Sequence, residues 1–481
     1  MTSLTLIEQN EYNMEGHILS IKGNTLKCAE GYIHRKKRAY KETTYWVCVE
    51  KNCLGKLTTK DGIIVSGPKD HYHEANHGEY VAREQRNMVK RDAKENPSSK
   101  SREIYNSVNS ELINKLPLNE DLIGTNLKPF ESLKPTIYRI KRSRYPALPK
   151  FLSELSIPQD LRVTRKDEPF LLSDNHDQTN RIIIFGTPSF LRILCEEKRV
   201  FADGTFKCVP NFFNSLYTLH VMRDGIMVTC VYCLLTNRTS STYINMLRMI
   251  QDICSEYDLA LNPESFTIDF ELAMVRAINT VLPQTQVVGC LFHFSQCLRR
   301  KVQELGLARQ YSESNGDNGV QKTVRRVAAL AFMKLENLEE AYTQIVLDMP
   351  EENHLLDEFM SYFHNNFFKE NATFPPKTWN HFLNDGPRTN NHVEGWHNSF
   401  NQRIGRHHAN IWYFLEKVIQ QQEVFENNLL IARQGNRVCH RDKKNIAIDE
   451  RIRVQKLKYE RGDLNELQFI DSIRYNFSFN V

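Results

Sequence analysis

No stretch of the chain comes near the roughly eighteen uninterrupted apolar residues that a membrane span needs, and Met1 to Asn10 has no basic segment leading into an apolar one. Neither a membrane protein nor a secreted precursor is expected, and a soluble intracellular protein is. A disulfide framework is also missing. The cysteines number eleven, an odd count without framework spacing, which favours free thiols and leaves room for a metal site. Nor does charge of one sign dominate, since the net charge is only +5 over 481 residues. Its distribution is less even. Residues 1–150 hold 26 Lys+Arg against 18 Asp+Glu, and residues 151–481 hold 37 against 40. The basic excess therefore lies in the N-terminal third, as expected if that part meets a polyanion first. With 41% hydrophobic, 25% charged and 10% aromatic residues, the composition is globular, and the length suits two or three domains.

What is present begins with 45-YWVCVEKNCLGKLTTKDGIIVSGPKDHYH-73. Four residues separate Cys48 from Cys53, and a further seventeen precede His71 and His73. Two thiolates and two imidazoles complete a tetrahedral zinc shell, and a small unit gains much of its folding energy from such an ion. Alternation in Tyr45-Trp46-Val47-Cys48 and around Leu57 and Ile63-Ile64-Val65 predicts short strands, with Gly55, Gly62 and Gly67 at turns. Two buried cysteines and a surface histidine pair would be the plainer account, but spacing and turn chemistry agree on a β-rich zinc module. The segment resembles the FLYWCH-type zinc finger in 26-LKCAEGY-32, in Tyr45-Trp46 before Cys48 and in the closing His71-x-His73; the initial phenylalanine of that pattern is not evident. On a probable hairpin inside it sits 35-RKKR-38. Arg35, Lys36, Lys37 and Arg38 are candidates for neutralising DNA phosphates, against a solvated loop or a nuclear-import signal.

Val81 to Ser101 is almost wholly polar, and 95-ENPSSKS-101 has the composition of a linker or a helix start. Ile104, Val108, Leu112, Ile113 and Leu116 then fall at helical spacing, and 134-KPTIYRIKRSRYPALP-149 is a second, arginine-rich amphipathic stretch. A helical DNA-binding unit and a simple packing element are both open.

The stretch 200-VFADGTFKCVPN-211 ends an apolar run with Asp203, and Gly204 beside it is expected to leave room for a metal or a phosphate. Two β-rich runs follow, 215-SLYTLHVM-222 and 226-IMVTCVYCLLT-236, joined by the turn signal Arg223-Asp224-Gly225. A helix capped by Ser240 or Ser241 comes next, then a strand ending in Asp269, a helix, the strand 286-QVVGCLF-292 and a basic helix. That order is the one found in a ribonuclease H-like core, where the first and fourth strands would set Asp203 beside Asp269. Two close carboxylates repel, and a shared divalent cation relieves them. On a later helix in 388-RTNNHVEGWHNSFNQRIG-405, Glu394 lies beside a stripe of Val393, Trp396, Phe400 and Ile404, with Asn390 and Asn398 four residues to either side. Such a glutamate is either oriented as a metal ligand or simply solvated.

The order DGTF, TIDFE, Cys290-x-x-His293 and NNHVEGWHN resembles the Mutator-like element (MULE) class of DDE transposases, from about Val200 to Asn410. The resemblance implies a catalytic triad of Asp203, Asp269 and Glu394 holding Mg²⁺ or Mn²⁺, and a family signature at Cys290 and His293. His381, His392 or His397 would have to complete a zinc shell there; a core cysteine beside a structural histidine is the other account. Glu271 is the decoy acid, expected to point away or to act from behind the ligands. The expected fold is α+β and multidomain: a FLYWCH-type finger over 15–80 and a linker and helical segment over 81–160. A ribonuclease H-like α/β core follows over 195–305 and 386–425, interrupted by an all-helical insertion over 306–385 and followed by a charged tail over 426–481. The implied activity is metal-dependent DNA strand cleavage and strand transfer on transposon ends, in the nucleus. Its partners would be double-stranded terminal-repeat and target DNA, with no membrane and with a homodimer or higher oligomer left open. A domesticated, non-catalytic DNA-binding regulator is the rival, and a cellular ribonuclease H-like nuclease is a third reading.

Overall fold

A computed structural model describes residues 16–20, 24–97, 99–116, 120–143, 145–312, 319–351, 353–384, 388–389, 391–436, 438 and 443–477. Residue 15, the expected start of the finger, and Asn390 lie outside them. The chain is mixed α+β and divides into two compact units, Met1–Ala147 and Leu148–Val481.

In the first unit six strands form an antiparallel meander in chain order: β1 (Gly16–Leu19), β2 (Thr25–Ala29), β3 (Tyr32–Tyr40), β4 (Thr43–Cys48), β5 (Lys56–Lys60) and β6 (Ile63–Lys69). Asp61-Gly62 turns β5 into β6 with both residues at positive φ, the conformation that an Asp-Gly hairpin turn favours. Trp46 and Leu57 pack on Ala29, and Trp46 Nε1 donates to Thr59 Oγ1 at 3.0 Å, so the indole is buried with its one donor satisfied.

Four helices complete this unit: α1 (His77–Glu95), α2 (Ser101–Lys115), α3 (Glu120–Asn126) and α4 (Phe130–Ser143). Most of the polar stretch from Val81 is thus helix rather than linker. Its apolar face is sparse, with Val81, Met88, Val89 and Ala93 buried and Gln85 among them. Gln85 is buried because both ends of its amide are satisfied, Nε2 donating to Asn109 Oδ1 at 2.8 Å and Oε1 accepting from Lys128 N at 2.8 Å. Tyr80 and Val81 share a core with Leu26, Cys28 and Ile33 of the sheet, and Met88, Val89 and Ala93 share one with Ile104, Val108, Leu112, Leu133 and Ile137. The six strands and the helices, expected as separate segments, form one packed unit.

The second unit is built on a seven-stranded sheet of β7 (Leu171–Asp174), β8 (Ile182–Gly186), β9 (Arg199–Thr205), β10 (Ser215–Arg223), β11 (Ile226–Leu235), β12 (Ser265–Ile268) and β13 (Gln286–Gly289). Their order is β13-β12-β9-β10-β11-β8-β7. β9, β10 and β11 are antiparallel neighbours, whereas β12 runs parallel to β9 and β13 parallel to β12. β7 and β8, absent from the expected set, extend the antiparallel edge. The hairpin at Asp224-Gly225 has both residues at positive φ, as the turn signal predicts.

Against this sheet pack α5 (Pro188–Glu196), α6 (Ser240–Glu256) and α7 (Leu272–Val281). Thr239, not Ser240 or Ser241, caps α6 by accepting from Thr242 N. Gly204 does not open a space for ligand: a Cβ there would stand 3.2 Å from the Tyr217 ring, on the sheet face opposite Asp203. The glycine accommodates a core tyrosine.

The remaining helices are α8 (Leu291–Glu304), α9 (Ala308–Ser312), α10 (Gly319–Ala329), α11 (Leu338–Leu347), α12 (His354–Phe363), α13 (Pro376–Trp379), α14 (Asn391–Ile404), α15 (Ile411–Arg433), α16 (Lys443–Glu460) and α17 (Glu466–Arg474). α14 and α15 are separate helices, parted after Ile404 at Gly405, which adopts positive φ. The charged tail proves to be a structural element. Ile452, Tyr459, Phe469, Ile470 and Ile473 enter one core with Phe294 of α8 and with Phe332, Phe359, Phe363 and Trp379 of the segment expected as a helical insertion. Arg326 ties the two together, with a buried guanidinium that donates to both carboxylate oxygens of Asp471 at 2.7 Å.

Candidate functional site

Asp203 is the fifth residue of β9, and the parallel pairing with β12 decides what stands beside it. Ser265, Phe266 and Thr267 pair with Arg199, Val200 and Phe201, so the same register carried two residues on sets Asp269 level with Asp203. Burial, and then the Asp203 carboxylate and Glu271, push Asp269 up to about 7. Glu394 sits in the first turn of α14, and burial followed by Asp203 pushes it up to about 7 as well. Asp203 therefore acts on both other acids. The three are held openly, each on its own element, rather than closed into a cluster of touching oxygens.

Hydrogen bonding leaves part of this group unspent. Glu394 Oε1 is buried, accepts no hydrogen bond and lies 3.2 Å from His293 Nε2. Such an oxygen suits a cation. Asp203 is held from two sides, Oδ1 accepting from Gly204 N at 2.8 Å and Oδ2 lying 3.1 Å from His397 Nδ1. Of the two amide flanks expected of Glu394, Asn398 is exposed, and Asn390 lies outside the described residues.

Cys290 and His293 part company. Cys290 is fully buried at the start of α8, and His293 faces Glu394. His381 turns its Nε2 to the Gly289 carbonyl at 3.0 Å and His397 faces Asp203, so among the described residues no zinc shell gathers around Cys290.

Glu271 reaches Asp269 through its charge, which adds to the upward push there. It accepts from the Tyr243 hydroxyl and from Arg238 Nη2, both at 3.1 Å. The Arg238 guanidinium lies 4.3 Å over the Phe206 ring and opposes the upward push on Asp269. Sequence patterns missed Arg238, which lies in the loop between β11 and α6 with no periodicity to mark it. They also gave no such role to His397, although its place three residues after Glu394 puts both on one face of α14.

In the first unit, Cys48, Cys53, His71 and His73 bring all four donor atoms within 4.8 Å of one another, the only such group of three or more His, Cys, Asp or Glu among the described residues. Cys48 Sγ lies 3.3 Å from His73 Nε2, Cys53 Sγ 3.4 Å from His71 Nδ1, and the two nitrogens 3.4 Å apart. A tetrahedron with Zn–S near 2.3 Å and Zn–N near 2.0–2.1 Å has edges of about 3.3–3.8 Å. The four donors fit that shell.

Its surroundings are built to match. The Glu50 and Gly55 amides donate to the two sulfurs, and His73 Nδ1 lies 2.8 Å from the Glu74 carbonyl. Tyr32 stacks on His71 at 3.9 Å, and the buried His34 sets its Nε2 3.2 Å from His71 Nε2. Burial and His71 push His34 down to about 4, so the neutral imidazole is favoured beside His71. This partner of the cluster was not singled out in the sequence. Arg35, Lys36, Lys37 and Arg38 are all exposed on β3, with a register shift between Lys36 and Arg38, and Arg38 lies 4.8 Å over the Tyr45 ring.

Residues 199–297 match the family model of the MULE transposase domain. The MULE transposase segment opens on β9 and closes within α8, so it contains Asp203, Asp269, Cys290 and His293 but not Glu394. A transposase domain of this family is in general of nucleotidyl-transferase type and implies DNA as partner. No curated protein matches the chain. No helix among the described residues is long and apolar enough to cross a membrane.

Two outcomes follow from this geometry. Full-length protein is expected to carry about one zinc per chain by elemental analysis. Cys48→Ser should lose most of it, as should Gly55→Ala, whose Cβ would stand 2.2 Å from His71 Cε1; full zinc content in both variants would contradict the assignment. At the acidic site, Asp269 and Glu394 hold protons more tightly folded than at their ordinary values of 3.8 and 4.5. Their ionisation therefore weakens the metal-free fold as pH rises from about 4 through about 7. A divalent cation replaces those protons, so the rise in Tm on adding Mg²⁺ should be larger near pH 8 than near pH 5. An equal rise at both would contradict it.

Proposed function

We propose that the chain is a DNA transposase of the Mutator-like class that binds transposon ends and carries out metal-dependent strand cleavage and strand transfer. The observation that carries this reading is the parallel register of β12 on β9, which sets two carboxylates level at the end of a sheet under a helix bearing a third. The strand order β13-β12-β9-β10-β11, three antiparallel strands followed by two parallel ones on the far side of the first, supports a ribonuclease H-like core. The match over residues 199–297 supports the family.

Asp203, Asp269 and Glu394 would hold Mg²⁺ or Mn²⁺, hard cations that prefer such oxygens. When bound, a cation pair of this kind supplies Lewis acidity at the scissile phosphate and lowers the pKa of water. The residues of the chain do the rest. Asp203 and Asp269 fix the reacting end of the sheet, Glu394 closes it from α14 with His293 against its carboxylate, and Arg238, half-exposed and braced by Glu271 and Phe206, offers its remaining N–H groups to a phosphate oxygen. Water attack would break one phosphodiester and free a 3′-hydroxyl, which then attacks target DNA.

The N-terminal unit would hold the ends, as a FLYWCH-type finger stabilised by zinc on Cys48, Cys53, His71 and His73. Arg35, Lys36, Lys37 and Arg38, all exposed on β3, would meet phosphates there. Nuclear localisation, and assembly of more than one copy on paired ends, belong to the same reading.

The test incubates full-length protein with terminal-repeat DNA from its own element and Mg²⁺, beside Asp203→Asn. Wild type is expected to cleave, leaving a 3′-hydroxyl, and the variant to bind the DNA but cleave on the order of 100-fold more slowly or worse. Wild-type binding without metal-dependent cleavage would leave only the DNA-binding regulator.

A further inference from the structure

Beneath α14 the sheet buries a row of polar side chains where apolar ones would cost less. Asp203 pairs with Thr218 across β9 and β10, and His220, two residues further along β10, shares their face. The β10–β11 register then shifts, setting His220 opposite Thr229 and leaving out Cys230. From α14, His397 descends onto this row. All five side chains are buried, and Thr218, His220 and Thr229 have no exposed surface at all.

Their contacts run in a line. Thr229 Oγ1 lies 3.0 Å from His220 Nδ1, His220 Nε2 2.7 Å from Thr218 Oγ1, Thr218 Oγ1 3.0 Å from His397 Nε2, and His397 Nδ1 3.1 Å from Asp203 Oδ2. A neutral imidazole and a hydroxyl each carry one proton to donate. The carboxylate only accepts, so His397 must bear its proton on Nδ1 and accept at Nε2. Thr218 then donates to His397 and accepts from His220 Nε2–H, and His220 Nδ1 accepts from the Thr229 hydroxyl. Every atom in the line is served once. Thr218 also lies 3.2 Å from the Asp203 carbonyl, but donating there would force the His397 proton onto Nε2 and turn a bare Nδ1 to the carboxylate.

We propose that His397 is a positioning residue for Asp203, its tautomer set by the Thr229–His220–Thr218 relay behind it. The inference rests on Asp203 being a cation ligand, as proposed above. His397 holds Oδ2 while the Gly204 amide holds Oδ1 at 2.8 Å, so the carboxylate plane is fixed before a cation arrives. A half-satisfied polar row under a helix would be unstable; a completed one is rigid. The Trp396 ring, packed edge-on against His220 at 5.3 Å, covers the row.

Two measurements on full-length, zinc-loaded protein test it. In unmodified protein labelled with ¹⁵N-histidine, the imidazole nitrogen shifts are expected to give His397 a proton on Nδ1 alone and His220 one on Nε2 alone; a proton on His397 Nε2, alone or with one on Nδ1, would overturn the relay. In the second, free Mn²⁺ is followed by electron paramagnetic resonance. Asp203→Asn should abolish the tight Mn²⁺ site, and His397→Ala should weaken it by about 10–100-fold. His397→Asn, whose amide N–H reaches the place of Nδ1–H, should recover most of the loss, and Thr218→Val should weaken binding severalfold without a matching fall in Tm. Wild-type Mn²⁺ affinity in both His397→Ala and Thr218→Val would overturn the positioning role. Equal Mn²⁺ binding by wild type and Asp203→Asn would instead overturn the metal reading of Asp203 on which it stands.

Discussion

Everything at the acidic site depends on one backbone register. Because β12 runs parallel to β9 with Ser265 against Arg199, the register carries Asp269, the residue after β12, level with Asp203 of β9. A slip of one residue would turn Asp269 to the other face, away from Asp203. Burial, and then the Asp203 carboxylate brought beside it, make Asp269 costly to ionise, which is why it is pushed up to about 7. The antiparallel β10 and β11 have the opposite task. They pair Asp203 with Thr218 and bring His220 and Thr229 into line behind it, so one side of β9 supplies a second charge and the other supplies hydrogen-bond support.

The two candidate metal centres solve one physical problem with different chemistry. In the N-terminal unit, burial pushes the Cys48 thiol up to about 11, so a soft cation must displace its proton before sulfur can ligate. Its amide donors, the Tyr32 ring and His34 fix the geometry around a closed four-donor shell, as a structural site requires. At the acidic site the donors are oxygens, they stand further apart, and Glu394 keeps an oxygen without a hydrogen bond. An open oxygen site suits a hard cation that must also meet substrate.

Local periodicity made much of this legible. The strands and helices from β9 to α8, the turn at Asp224-Gly225 and the stripe of α14 all follow from spacing that one element alone determines, and the four Cys and His donors from residue type and spacing along the chain. What spacing could not supply was pairing at a distance. β7 and β8 carry no motif, although Ile182–Phe185 is a fully buried apolar run. In α1 the buried Gln85 interrupts the apolar stripe, and only its amide partners from Asn109 and Lys128 explain why it is inside. The tail looked solvated because α16 spreads its few apolar residues without a stripe, and its burial comes from the insertion helices and from Arg326 reaching Asp471. His34, Arg238 and His397 are single polar residues whose roles exist only through contacts with residues far along the chain.

The central claim is that Asp203, Asp269 and Glu394 share a divalent cation. Anomalous diffraction from crystals of the full chain soaked in Mn²⁺ tests it most directly. A peak bonded at about 2.1–2.2 Å to a carboxylate oxygen of each of the three acids is the expected result. No peak there, or a peak that Asp269 does not touch, would contradict it.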